Sequence, residues 1–178
     1  HYLDHIPLEK IYKIYLVLTH ETIENLISHN DGSQIPLNKG GMRGLLRSST
    51  QNDKHIFSSI ARDKIVFCLP AIIRDMGDGF ETYEYYKKVV QELMVQGFRQ
   101  FQISNLGAMG FFKGEDVQRY ADYPLYCLNP LSATQLRNLG FCRYTLSPED
   151  DNENMQTLFS ANADLIIYQD TPLFTSET

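Results

Sequence analysis

Cysteine is scarce in this chain: three residues in 178, Cys68, Cys127 and Cys142. Each lies inside an apolar run and none is at a metal-ligand or redox spacing, so all three read as buried thiols packing like small hydrophobes. The five histidines form no His-Glu-x-x-His pattern and four precede residue 31, which gives no expectation of a metal site. No apolar run approaches the roughly 20 residues of a membrane span. No charged-then-apolar leader opens the chain either, so the expected setting is cytoplasmic, with no membrane partner. Phosphate-cradling glycine patterns are missing, since Gly40-Gly41 and Gly107-Ala-Met-Gly110 fit neither the dinucleotide nor the Walker spacing. There is no Gly-x-Ser-x-Gly elbow and no Ser, His and Asp set that reads as a triad.

An excess of positive charge is also absent. The net charge of −6 disfavours indiscriminate nucleic-acid binding, but the charge is unevenly placed. Lys39, Arg43, Arg47, Lys54, Arg62, Lys64 and Arg74 face only Asp53 and Asp63 over their interval, whereas residues 144–178 hold seven carboxylates and no Lys or Arg. The basic interval reads as solvated loop and helix faces, with a phosphate-meeting surface as the alternative.

What the chain does have is a repeated pattern. Phe98-Arg-Gln-Phe-Gln-Ile-Ser-Asn105-Leu-Gly107, Tyr123-Pro-Leu-Tyr-Cys-Leu-Asn129-Pro130 and Phe141-Cys-Arg-Tyr-Thr-Leu-Ser147-Pro148-Glu149 each place a short apolar run before a polar turn and an amphipathic stretch. Such runs alternating with helices predict parallel strands buried on both faces, because each return crossover needs a helix. The fold class expected is α/β: parallel β/α units forming a partial or complete TIM-like barrel. With 43% hydrophobic residues the chain can bury one core, read as a single domain over 1–178. It opens at His1 and ends at Thr178 just past a strand, which suggests a piece of a larger protein. Residues 1–63 are the lead-in and first β/α unit, and 64–178 carry the repeats.

Along the chain, strands are predicted over 11–18, 64–73, 98–104, 123–129 and 163–169, besides the run from Phe141. Helices are predicted over 19–28, from the Thr82 cap to Gly97, over 115–121, from Ser132 to Gly140, and from Ser147 onward. Tyr86, Val89, Val90, Leu93 and Met94 mark the buried stripe of the second of these. Polar residues at the carboxyl ends of the strands are the candidate site, since chemistry collects on that rim in parallel α/β folds. Glu149 is the candidate general acid or base, against a helix-start role. Arg74 can clamp an anion through its planar fork or pair with Asp75 or Asp78. Asn105 and Asn129 can bind a ligand through their amides or simply form turns. Ser147 reads as a helix cap as well as a rim residue.

In order, Leu69-Pro-Ala-Ile-Ile-Arg74, Ser104-Asn-Leu-Gly-Ala108, Ala121-Asp122 leading to Leu128-Asn129, Leu139-Gly140, Leu146-Ser-Pro-Glu149 and Tyr168 to Pro172-Leu-Phe-Thr-Ser-Glu177 resemble the carboxyl-terminal part of the barrel domain of the peptidase U32 family, the collagenase-like proteases. The resemblance covers roughly residues 64–178. It implies a β/α-barrel enzyme, with some members described as proteases and others implicated in oxygen-independent hydroxylation of transfer RNA, ribosomal RNA or the ubiquinone ring. On the strand-end reading, Arg74, Asn105, Asp122, Asn129, Ser147 and Glu149 would line the rim of that barrel, with Tyr168 a further candidate substrate contact and Glu149 the catalytic candidate. The hydroxylation members are associated with an iron–sulfur cluster whose cysteines follow the segment here reading 172–177. None of Cys68, Cys127 and Cys142 matches those ligands, so no cofactor is expected within this piece and a cluster would be completed in the full-length protein. Tyr168-Gln-Asp-Thr171 departs from the family's Tyr-Gly-Arg, and Phe174 replaces its Met. The expected partners are the remainder of a parent chain, an RNA or peptide substrate and a second copy. A peptide-bond hydrolase and a non-catalytic RNA-positioning or scaffold module are the alternative functions.

Overall fold

A computed structural model describes residues 12–19, 22–23, 61–74 and 82–168. The fold is α/β, built of parallel strands with interleaved helices, a partial β/α barrel. By packing, the chain divides into two compact units. The first takes His1–Phe67 and Arg74–Arg99, and the second Cys68–Ile73 and Gln100–Thr178.

In the first unit, β1 (Ile14–Val17) and β2 (Ile65–Cys68, of which Cys68 belongs to the second unit) are neighbouring strands. They are shorter than the apolar runs at 11–18 and 64–73 that contain them. Helix α1 (Tyr83–Val95) starts where the Thr82 hydroxyl accepts from Tyr85 N–H at 3.2 Å. It buries Tyr86, Val89, Val90, Leu93 and Met94, the expected stripe. Its end is a Schellman closure: Gly97, at φ +91°, donates to the Met94 carbonyl while Phe98 N–H reaches back to Leu93. That closure sets the Phe98 ring perpendicular to Phe67, centroids 4.9 Å apart, with the Arg62 guanidinium over the Phe98 ring. The expected helix over 19–28 lies outside the described residues apart from residues 22–23.

The second unit holds β3 (Gln100–Ile103), β4 (Gln118–Ala121), β5 (Phe141–Thr145) and β6 (Ala163–Asp164), all parallel and adjacent in chain order. The segment after β2 runs beside β3, with Leu69 N–H donating to the Gln102 carbonyl at 2.9 Å. Helices α2 (Pro130–Asn138) and α3 (Asn152–Leu158) follow β4 and β5. Two assignments are corrected here. Residues 118–121 form a strand, not part of a helix over 115–121, and 123–129 form no strand but a 3₁₀ turn (Tyr123–Leu125) and loop. In 118–121, Gln118 and Tyr120 share one face and Arg119 and Ala121 the other, whereas Pro124 removes a ladder donor from the run that follows.

That sheet has buried residues on both faces, as expected, but one face is largely apolar and the other polar. Phe101, Ile103, Ala121, Tyr144 and Ala163 are buried on the face where Phe101 meets Phe112 of the 3₁₀ segment Leu106–Phe112. On the same face the Tyr144 hydroxyl donates to the carbonyl of Leu158 in α3 at 2.8 Å. Successive side chains alternate, so Gln100, Gln102, Ser104, Gln118, Tyr120, Asp122, Arg143, Thr145 and Asp164 share the other face. The register slips between Arg119 and Tyr120, which oppose Phe141 and Arg143 and leave Cys142 as the extra residue of a bulge. The bulge lets both Phe141 and Tyr144 be buried, and it leaves Cys142 exposed. The expectation of a buried thiol therefore fails at Cys142, while Cys68 and Cys127 are buried.

Candidate functional site

Parallel pairing brings the carboxyl ends of these strands to one end of the sheet. Ile103 opposes Ala121, Ala121 opposes Tyr144 and Thr145 opposes Asp164, so Ser104, Asp122 and Thr145 come into one row. Asp122 is its centre. Its Oδ1 accepts from Gln102 Nε2 at 3.0 Å and from Tyr123 N–H at 2.8 Å, and its Oδ2 accepts from the Ser104 hydroxyl at 2.7 Å. The Leu69 carbonyl, 3.0 Å from Ser104 Oγ, is the alternative acceptor for that single proton. Gln102 Nε2 also reaches Thr145 Oγ1 at 3.3 Å. Three strand ends, those of β3, β4 and β5, are thus tied through one carboxylate and one amide, and the Ser104 hydroxyl has the segment after β2 as its alternative partner.

Electrostatics follow from this placement. Cys68 sits within the field of Asp122, and burial first, with that charge second, pushes its thiol up to about 12. It is a proton-holding group, not a nucleophile, at neutral pH. Deeper on the same face, the Tyr120 hydroxyl lies 2.8 Å from Gln100 Oε1 and 2.9 Å from Gln118 Oε1. The Arg143 guanidinium is spent on Asp164, its Nε 3.0 Å from both carboxylate oxygens.

The other candidate residues are placed differently. Asn105 caps the 3₁₀ segment, accepting from Gly107 N–H at 2.8 Å and donating to the Ala71 carbonyl at 3.1 Å. Asn129 is the N-cap of α2 in a capping box with Ser132, its Oδ1 2.9 Å from Ser132 N, so the helix begins at Pro130 and not after Ser132. Ser147 is fully buried and its hydroxyl accepts from Glu149 N–H at 3.3 Å. It does not start the next helix, whose cap is Asp151. Glu149 is exposed in the intervening turn. Arg74 is exposed in the first unit, its carbonyl accepting from Tyr83 N–H. Tyr168, beyond β6, is 84% exposed.

No family model, no curated protein and no solved structure matches this chain. The iron–sulfur cluster implied by the family resemblance can be tested on the cysteines themselves. Cys68 ends β2, Cys127 precedes α2 with Ser132 Oγ 3.8 Å from its sulfur, and Cys142 lies in the bulge with its sulfur 3.1 Å from the Arg119 carbonyl. Among the described residues no three His, Cys, Asp or Glu side chains gather as a metal set, so these cysteines do not fit a cluster. Nor is any helix among the described residues long and apolar enough to cross a membrane.

Of the row, only Asp122 was singled out by sequence. Gln102, Ser104 and Thr145 were missed, although Gln100-Phe-Gln-Ile-Ser104 carries its polar residues at every second position, the signature of a strand with one polar face.

Proposed function

We propose that the chain is part of a β/α-barrel enzyme of the peptidase U32 type, with its substrate meeting the strand-end row around Asp122. One observation carries this reading: a carboxylate at the end of a parallel strand, oriented by three donors from its own and a neighbouring strand end, is the preorganised polar centre that catalysis in such folds uses. The family-like segments add support, because those at 69–74, 104–108, 121–122 and 146–149 begin at or just beyond the ends of β2, β3, β4 and β5. The reaction class is the oxygen-independent hydroxylation of RNA or a quinone, in the cytoplasm, with any cluster held by cysteines other than Cys68, Cys127 and Cys142. The basic interval from Lys39 to Arg74 then serves an RNA partner; its Lys39, Arg43, Arg47 and Lys54 lie outside the described residues.

Collagenase-like hydrolysis is the second reading, favoured by the 2.7 Å contact between the Ser104 hydroxyl and Asp122, which pairs a nucleophile with a carboxylate base. Mass spectrometry of RNA nucleosides and quinones from the source organism lacking the gene tests the first. Loss of a hydroxylated species, restored by the wild-type gene and not by Asp122→Asn, is expected. Unchanged nucleosides and quinones, together with gelatin cleavage by purified full-length protein that Ser104→Ala abolishes, would replace it with the second.

A further inference from the structure

Which chemical group the Asp122 row accepts can be argued from the hydrogen-bonding capacity its residues leave unused. A carboxylate offers about four acceptor positions, and those of Asp122 take three donors, from Gln102, Tyr123 and Ser104. Gln102 spends its amide N–H groups on Asp122 and Thr145, which leaves its Oε1 as an acceptor. Thr145, 6% exposed, accepts from Gln102 and keeps its own proton to give. The surplus is therefore mainly acceptor, carried by a formal negative charge. The nearby cation on this face, Arg143, is held by a bidentate pairing to Asp164. The surrounding segment deepens the imbalance: Glu149, Asp150, Asp151, Glu153 and Asp164 fall within residues 144–168, which contain no Lys or Arg.

From this we infer that the row recognises an N–H-donating, non-anionic group of the substrate, and that Asp122 with Gln102 makes it reject phosphate and carboxylate. A phosphate here would meet a fixed carboxylate and a carbonyl oxygen with one hydroxyl donor to hold it. A planar N–H donor instead finds two acceptors and a favourable charge. The inference rests on the reading of this row as the substrate-facing site. On that reading a phosphate-bearing substrate keeps its phosphates away from the row.

The test is titration of the full chain with methylguanidinium chloride, and separately with sodium methyl phosphate and tetramethylammonium chloride, at matched ionic strength, followed by backbone and side-chain amide NMR. Methylguanidinium is expected to shift the Gln102 side-chain and Ser104, Asp122 and Tyr123 backbone signals saturably. Affinity should fall at least about tenfold, equivalent to about 1.4 kcal/mol, in Asp122→Asn, and also in Gln102→Leu, which keeps the carboxylate. Tetramethylammonium, a cation without donors, should leave those signals unmoved. Saturable shifts by methyl phosphate in preference, equal response to tetramethylammonium, or methylguanidinium binding unaltered in both variants would overturn the inference. Donor selectivity in a protein whose deletion alters no nucleoside or quinone would remove the proposed reaction and leave the recognition rule; phosphate preference with an altered profile would do the reverse.

Discussion

Burial, and after it the Asp122 carboxylate, sets the chemistry of Cys68 at the scale of single residues. Burial and the neighbouring carboxylate hold the Cys68 proton to about pH 12, against an ordinary value of 9.0. In the unfolded chain the thiol ionises about three units earlier, so between these values the unfolded state binds fewer protons than the folded one. Stability is then fully present below pH 9 and declines as pH rises toward 12, by up to about 1.4 kcal/mol per pH unit. Urea unfolding at pH 8, 9 and 10 should show that decline, and Cys68→Ala should flatten its contribution. Thiol titration of the native protein at pH 8 should report Cys142 first, with Cys68 and Cys127 reacting only on unfolding, since they are buried and Cys142 is exposed.

Gly140 is constrained twice, and a comparison with Gly114 separates the causes. Both have positive φ, +87° and +83°. A Cβ at Gly114 would meet nothing within 4 Å, whereas one at Gly140 would lie 2.4 Å from Arg119 Nη2. Gly114→Ala should cost about 1 kcal/mol from backbone strain alone, and Gly140→Ala distinctly more because Arg119 must move. Equal losses in chemical denaturation would mean that the guanidinium yields freely.

At the scale of elements, caps decide where the helices begin. Asn129 and Ser132 bond reciprocally at the start of α2, so Asn129→Ala should lower stability by about 1 kcal/mol, measured by urea unfolding, without touching the Asp122 row. Much of this level was legible in the residues. The five-residue stripe of α1, its Thr82 cap and its Gly97 terminator follow from helical periodicity and cap chemistry, which are local. β4 was not legible, because a four-residue strand with the sequence Gln-Arg-Tyr-Ala draws its stability from its neighbours, and the apolar run just after it looks more strand-like by propensity. The Cys142 bulge was invisible for a related reason: a register slip is a property of a strand pair. That slip puts Phe141 and Tyr144 on one face although they are three residues apart, which masks the two-residue spacing of the polar side chains in β5. Once Gln102, Asp122 and Thr145 are known to share a face, their spacing of two from Gln100, Tyr120 and Arg143 is readable in retrospect.

For the molecule as a whole, the site depends on long-range placement, with Leu69, Gln102, Asp122 and Thr145 separated by scores of residues and joined only by parallel strand order. Glu149, read from sequence as a general acid or base against a helix-start role, is exposed in a turn, whereas Asp122 is bonded into the row. The measurement that weighs these residues most directly is the rate of the proposed reaction in Asp122→Asn beside Glu149→Gln, with urea unfolding as the control for stability. The row predicts a loss of about a hundredfold or more in Asp122→Asn, the scale of removing one preorganised electrostatic group, and a rate within about twofold of wild type in Glu149→Gln, as for an exposed surface position. Near-normal activity in folded Asp122→Asn, with the loss falling on Glu149→Gln instead, would contradict the account.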